Sequence, residues 1–212
     1  MRQRKAKNME ERLAACSAYS IADGQKMKGS WKSVFQNEND IYMELGCGKG
    51  QFVLKQAELH PDRNYIAVEG QESVVLQALE KAAAANIPNI RFLSAFMRDV
   101  TEYFEEGELS GIYLNFSDPW PKERHAKRRL THSNFLKGYA RVVKDGGILE
   151  FKTDNDSLFE FTIQEIKAND YEIIEYSRDL HNSEFLSRHV TTEYEDKFNA
   201  LDKNINFVKV IL

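Results

Sequence analysis

The chain has 212 residues, 42% of them apolar and 29% charged, with a formal net charge of −4. That length suits one well-buried domain and is short for two, and the balance of apolar and charged residues excludes wholesale disorder. No apolar run approaches the roughly 20 residues that cross a bilayer, and Met1-Arg2-Gln3-Arg4-Lys5 leads into polar residues rather than a signal-peptide core, so a cytoplasmic protein without a membrane partner is expected.

In chain order, residues 1–32 come first and carry eight Lys and Arg against three acids. They are expected to form a basic, partly flexible arm ahead of a single domain over 33–212; ordinary solvated lysines would account for the run equally well. From residue 40 short apolar runs alternate with helix-period segments, as in a parallel sheet covered by helices. Ile41–Leu45 reads as a strand, Lys49–Leu59 as a helix, Tyr65–Val68 as a strand and Ser73–Ala85 as a helix, with Pro88 breaking the chain. Ile90–Leu93 reads as the third strand, Val100–Phe104 as a short helix and Gly111–Phe116 as the fourth strand. Asn134–Val143 then reads as helix, Ile148–Lys152 as strand after Gly146-Gly147, and Leu158–Ala168 as helix. Beyond it the alternation fails, and the strand-like runs Tyr171–Tyr176 and Ile205–Leu212 suit a closing antiparallel pair around a long polar loop.

Cys16 and Cys47 have no paired spacing, and none of the five histidines has an i, i+4 partner across a glutamate, so free thiols and no bound metal are expected.

Two motifs carry chemistry. Glu44-Leu45-Gly46-Cys47-Gly48-Lys49-Gly50 runs from a strand into a helix, and Gly46, Gly48 and Gly50 permit a tight turn and close approach of a cofactor to the backbone. Glu69, at the end of the second strand, is placed to accept the hydroxyls of a ribose. Nicotinamide and S-adenosylmethionine sites share this layout. Glu44 favours S-adenosylmethionine, whose ammonium suits a carboxylate that a pyrophosphate would repel.

The second motif, Asn115-Phe116-Ser117-Asp118-Pro119-Trp120-Pro121-Lys122, ends the fourth strand, at the ligand crevice of a doubly wound sheet. Its prolines restrict the backbone around Asp118 and Trp120. A basic run, Lys122 to Arg129, follows, so that residues 118–137 hold six cations against two acids. Gathered cations beside a stacking tryptophan suit RNA, with Lys122, Arg128 and Arg129 facing phosphates. A rigid loop whose aspartate caps a turn is the plainer alternative.

On these residues the sequence resembles the bacterial tRNA (guanine-N7)-methyltransferase family over nearly its whole length. The likeness is carried by the two motifs, by Val68-Glu69 and Arg128-Arg129-Leu130, and by Phe151-Lys152-Thr153-Asp154-Asn155 and Thr192-Glu193-Tyr194-Glu195. It implies a Rossmann-like, S-adenosylmethionine-dependent α/β methyltransferase, doubly wound, with a mostly parallel seven-stranded sheet, helices on both faces and a closing antiparallel pair. The implied substrate is a variable-loop guanosine of tRNA. By the same likeness Glu44, Glu69 and Asp118 line the cofactor and catalytic pocket, and Lys122, Asp154, Thr192 and Glu195 contact the substrate.

Thr-x-x-Glu is also an ordinary capping box, and Asp154 an ordinary turn residue before a helix. One position departs from the family: relatives usually carry an aspartate or asparagine where Phe96 stands, so the side-chain hydrogen bond to adenine is lost, and either the phenyl ring packs on the adenine or the backbone N–H serves in its place. Methylation of an exocyclic amine, a dehydrogenase and a non-catalytic RNA-binding module remain as rival readings, and a monomer and a homodimer are both compatible with the sequence.

Overall fold

A computed structural model describes residues 7–198 and 203–212. In chain order it runs α1 (Met9–Ala15), β1 (Ser20–Ile21), α2 (Trp31–Phe35), β2 (Asp40–Leu45), α3 (Gln51–Leu59), β3 (Arg63–Glu69), α4 (Glu72–Ala85), β4 (Ile90–Ser94) and β5 (Leu109–Asn115). It continues with α5 (Ser133–Val142), β6 (Val143–Thr153), α6 (Asp156–Ala168), β7 (Glu172–Ser177), α7 (Glu193–Phe198) and β8 (Asn206–Ile211).

The strands form one sheet in the order β1-β4-β3-β2-β5-β6-β8-β7. Strands β1 to β6 pair in parallel, and β8 runs antiparallel between β6 and β7. The inner strands are buried on both faces, which is why β3 and β5 read as nearly unbroken apolar runs. Winding reverses between β2 and β5, and in such a sheet the crevice at the carboxyl ends of those strands is where a ligand is received. Glu44 near the end of β2 and Asn115 at the end of β5 flank that crevice.

Each face has its own core. Buried residues of α2, α5 and α6 pack on one, including Trp31, Leu136, Tyr139, Phe159 and Ile166. On the other, Phe52, Val53 and Ala57 of α3 meet Val75, Ala78, Leu79 and Ala82 of α4. Gly50 allows this approach, because a Cβ there would stand 2.7 Å from the Ala78 Cβ. No helix among the described residues is long and apolar enough to cross a membrane.

The sheet has eight strands where the sequence suggests seven. The extra one, β1, comes from the N-terminal segment and pairs Ser20 with Phe92 and Ile21 with Leu93 along the edge of β4. A two-residue strand has no periodicity for a sequence to display. Much of the same segment packs on the domain. Arg12 donates two hydrogen bonds of 2.7 Å to Glu80, Lys28 donates to the Thr101 carbonyl, and Lys32 pairs with Glu38. Trp31 is fully buried, donates its indole N–H to the Tyr103 carbonyl at 2.9 Å and stacks on Phe104. The short helix expected at Val100–Phe104 is a 3-10 turn over Val100–Glu102, and β6 begins five residues earlier than expected because Val143 already pairs with Leu109.

Trp31→Ala should destabilise the protein by about 3–5 kcal/mol in denaturant unfolding. An unchanged midpoint would show that this segment adds nothing to the fold.

Candidate active site

The glycine turn hangs from the end of β2. Gly46, Gly48 and Gly50 take φ of 87°, 56° and 82°, a region that other residues enter only at a cost. The N–H groups of Gly46 and Cys47 both reach the Val68 carbonyl, so the turn is fastened to β3. Gly48 donates instead to the Glu69 carboxylate at 3.1 Å, whose other oxygen accepts from the Gln71 N–H at 2.8 Å. Glu69 is thereby fixed in orientation, and with about four lone-pair sites on a carboxylate it retains acceptor capacity for two hydroxyls. The positions where Gly46 and Gly48 would carry a Cβ are open space, as a cradle for a bound molecule requires.

Glu44 is 2% exposed. One carboxylate oxygen accepts from the Asn115 side-chain amide at 2.8 Å, and the other, Oε2, is buried with no hydrogen-bond partner among the described residues. Burial drives its pKa up to about 7, a rise that Asn115, Lys152 and the Val53 N–H oppose only in part. A buried carboxylate oxygen with no donor among the described residues is chemically suited to accept from a cationic group. Glu44, Gly46, Gly48, Phe52, Asn115, Phe116, Thr192 and Tyr194 line a pocket of about 200 Å³. That is below the roughly 300–1,000 Å³ usual for a whole small-molecule ligand, so it matches one end of a nucleoside-sized molecule, such as an amino-acid moiety.

The loop after β5 forms the opposite wall. Phe116 and Trp120 have φ of 52° and 41°, and strained non-glycine positions of this kind cost about 1–3 kcal/mol each, so the surroundings must enforce them. At Trp120 Arg129 does so: its guanidinium donates to the Pro119 and Trp120 carbonyls and lies 4.3 Å from the Phe161 ring centroid, while Phe116 is held by its N–H on the Lys152 carbonyl and its ring against Tyr194. Arg129, expected at a phosphate, is therefore spent largely on the loop that carries Asp118. Asp118 itself is exposed, two residues beyond the pocket-lining Phe116.

Trp120 leads into a second, larger cleft of about 1050 Å³, which Phe96, Arg98, Lys127, Arg128, Lys137 and Arg141 line together with apolar neighbours. Arg128 stacks on Trp120, 4.8 Å from the ring centroid. Phe96 is 77% exposed and lies against the backbone of Gly70, where any side chain would collide with its ring. It borders the carboxyl end of β3, one residue past Glu69.

The remaining expected residues divide. Thr192 and Glu195 form the reciprocal capping box: the Thr192 N–H donates to Glu195, and the Glu195 N–H to the Thr192 hydroxyl. Thr192 lines the smaller pocket, but the Glu195 carboxylate is 1% exposed and turned inward to Lys152. Asp154 accepts from the Tyr194 hydroxyl and from Lys203, and Lys122 is exposed at the start of the basic turn. The pocket thus gathers Glu44, Gly46, Gly48 and Thr192. Phe96 and Arg128 belong to the larger cleft, and Gly50, Glu69, Asp118, Lys122, Arg129, Asp154 and Glu195 line neither.

One residue escaped the sequence reading. Lys152 reads there as the end of a strand, yet it is a buried cation that donates to the Glu195 carboxylate at 2.8 Å and the Val190 carbonyl at 2.9 Å. A lysine two residues beyond Glu150 at the end of a central strand, where few charges are buried without a partner, was the signal for it.

Comparison with known proteins finds relatives over most of the chain. A family model described as "Putative methyltransferase" matches residues 38–208. A tRNA (guanine-N(7)-)-methyltransferase of Clostridioides difficile (strain 630) is 51% identical over 199 residues, covering 93% of this chain and 92% of the relative. Among solved structures, the 16S rRNA methyltransferase KamB superposes with a TM-score of 0.64 at 15% identity, over 86% of this chain and 91% of that one. A phosphoethanolamine N-methyltransferase 2 of Haemonchus contortus, in complex with S-adenosyl-L-methionine, gives 0.52 at 15% identity, over 98% and 60%. At such low identity the two structures speak for the fold alone.

Glu44 supplies the test of the pocket. Its folded-state pKa lies above the ordinary carboxyl value, so the ligand-free protein should lose stability as pH rises from that range through about 7, by about 3 kcal/mol in all. Glu44→Gln should abolish this slope and leave the protein no less stable above neutral pH, while weakening a cationic ligand about 10- to 100-fold. A variant that unfolds more easily at every pH would mean that Glu44 serves the fold instead.

Proposed function

The chain belongs to the tRNA (guanine-N(7)-)-methyltransferase family, and from that premise we propose that it transfers the methyl group of S-adenosylmethionine to N7 of a variable-loop guanine in tRNA. The observation that carries the reading is the unpartnered, buried Oε2 of Glu44 in the wall of a glycine-turned pocket at the switch point of the sheet. Its chemistry matches an ammonium, and the open positions above Gly46 and Gly48 match the backbone approach that such a cofactor needs. Glu44 holds the amino-acid end, Glu69 receives the ribose hydroxyls, and Phe96 packs on the adenine by its face. Bound in this way, the cofactor supplies an electrophilic methyl on a sulfonium.

Guanine N7 bears a lone pair and no proton, so the protein need not remove one before attack. What remains is positioning and charge. Asp118 accepts hydrogen bonds from the Watson-Crick edge of guanine, which adenine does not offer in the same pattern, and its negative charge stabilises the purine as that ring becomes cationic. The loop that carries it is rigid because Arg129 holds two of its carbonyls. Lys122, Asp154, Thr192 and Glu195 are assigned to the substrate side: Lys122 and Thr192 by direct contact, Asp154 through the Tyr194 hydroxyl it orients, and Glu195 by capping Thr192.

Beyond them, the cleft floored by Phe96 and Trp120 and edged by Arg98, Lys127, Arg128, Lys137 and Arg141 has the charge and aromatic surface to accept RNA phosphates and an unstacked base.

Incubation with unmodified tRNA and labelled cofactor, followed by nucleoside analysis, should yield 7-methylguanosine. Label on an exocyclic amine would contradict the reading, and no label would contradict the enzyme. Asp118→Ala should lower the single-turnover rate about 100-fold with cofactor affinity retained, since removal of one transition-state contact typically costs that much. tRNA affinity should fall steeply with salt, and Lys137→Glu with Arg141→Glu should flatten that slope without altering cofactor affinity.

A further inference from the structure

Lys152 stands at the carboxyl end of β6, paired with Asn115 of β5 on one side and Phe207 of β8 on the other. Its side chain is 3% exposed. Two of its donors go to the segment that walls the smaller pocket: the Val190 carbonyl at 2.9 Å and the Glu195 carboxylate at 2.8 Å. The ammonium also lies 4.9 Å from the centroid of the Phe52 ring, which lines the same pocket. Asn115, its neighbour across the sheet, donates to Glu44. One buried cation is thus bonded to a buried carboxylate in the wall, Glu195, and stands beside Asn115, which holds a second buried carboxylate, Glu44.

We propose that Lys152 is a positioning residue of the cofactor site, a single buried ammonium that fastens the Val190–Glu195 wall to the sheet and sets the charge with which Glu44 meets the ligand. This inference rests on the reading of the pocket as the S-adenosylmethionine site. The physical argument is one of competition. In a medium where charges are weakly screened, a cation already neutralised by Glu195 does less for Glu44 than a cation released from that partner. The other groups facing Glu44 are fixed: Glu69 from β3 opposes its ionisation, the Asn115 amide and the Val53 N–H favour it, and the neighbouring Cys47 thiol is itself held protonated by burial. On the far side of Lys152, His181 approaches the second oxygen of Glu195 at 3.5 Å. His189 is pushed down to a pKa of about 4, first by burial and then by Lys152, and so adds no charge of its own at neutral pH.

Competition makes two substitutions act in opposite directions. Glu195→Gln leaves Lys152 with Glu44 and Glu150 as the carboxylates that feel it, Glu150 being paired with Lys209 already, whereas Lys152→Met combined with Glu195→Gln removes the buried pair together, without stranding a charge, and withdraws the cation from Glu44. The midpoint of Glu44, followed by carboxyl carbon-13 NMR in the ligand-free protein, should fall in the first variant and rise in the second, by about half a pH unit or more each way. Calorimetric affinity for S-adenosylmethionine across neutral pH should follow the same midpoints, and Lys152→Arg should stay near the wild type. A capping or packing role for the pair would move neither midpoint, or both in one direction, and either result overturns the inference. Wild-type protein that binds no S-adenosylmethionine at any pH would overturn the cofactor reading and the inference with it. Binding with unmoved midpoints would overturn the inference alone.

Discussion

A carboxylate buried in protein is held against its preference, and the site is organised around one such group. Glu44 is almost fully buried, has one oxygen satisfied by Asn115 and keeps the other without a donor among the described residues. Nearby groups favour its ionisation without overcoming burial, which leaves it poised between acid and carboxylate near neutral pH. A ligand that brings a positive charge and a donor to Oε2 relieves both deficits together. The glycine turn, the switch point of the sheet and the wall from Val190 to Glu195 give that ligand a place to stand.

The second constraint is the loop after β5. Two left-handed, non-glycine residues would not persist on a loop without restraint, and the restraints are the Arg129 fork on the Pro119 and Trp120 carbonyls and the bond from the Phe116 N–H to the Lys152 carbonyl. The same short segment supplies Asn115 to Glu44 and Phe116 to the pocket, and presents Asp118 to solvent two residues later. Cofactor side and substrate side are therefore joined through the four residues Asn115 to Asp118. A small displacement of Arg129 would reach both.

Much of this was legible in the sequence. The strands, the glycine turn, the acidic end of β3 and the proline-bracketed loop each follow from a local pattern of residues, and the Thr192–Glu195 capping box is realised bond for bond. What stayed hidden depends on distant partners. Arg129 looks like one more cation in a basic run until its two carbonyls, nine and ten residues away, come into view. Lys152 finds Glu195 across 43 positions, and Arg12 finds Glu80 across 68. The edge strand Ser20–Ile21 is too short to carry a period, and β6 extends back past Gly146-Gly147 to Val143 because Leu109 of β5 offers it a partner there. Periodicity reports which face of an element is buried; it does not report which buried charge answers which.

The central claim is that Glu44 must be ionised to hold the cofactor. Calorimetry of S-adenosylmethionine binding at mildly acidic pH, repeated in buffers of different ionisation enthalpy, counts the protons released. The account predicts release of about one proton per molecule bound below the Glu44 midpoint, vanishing as pH rises past it. Binding heats that do not depend on the buffer would contradict it.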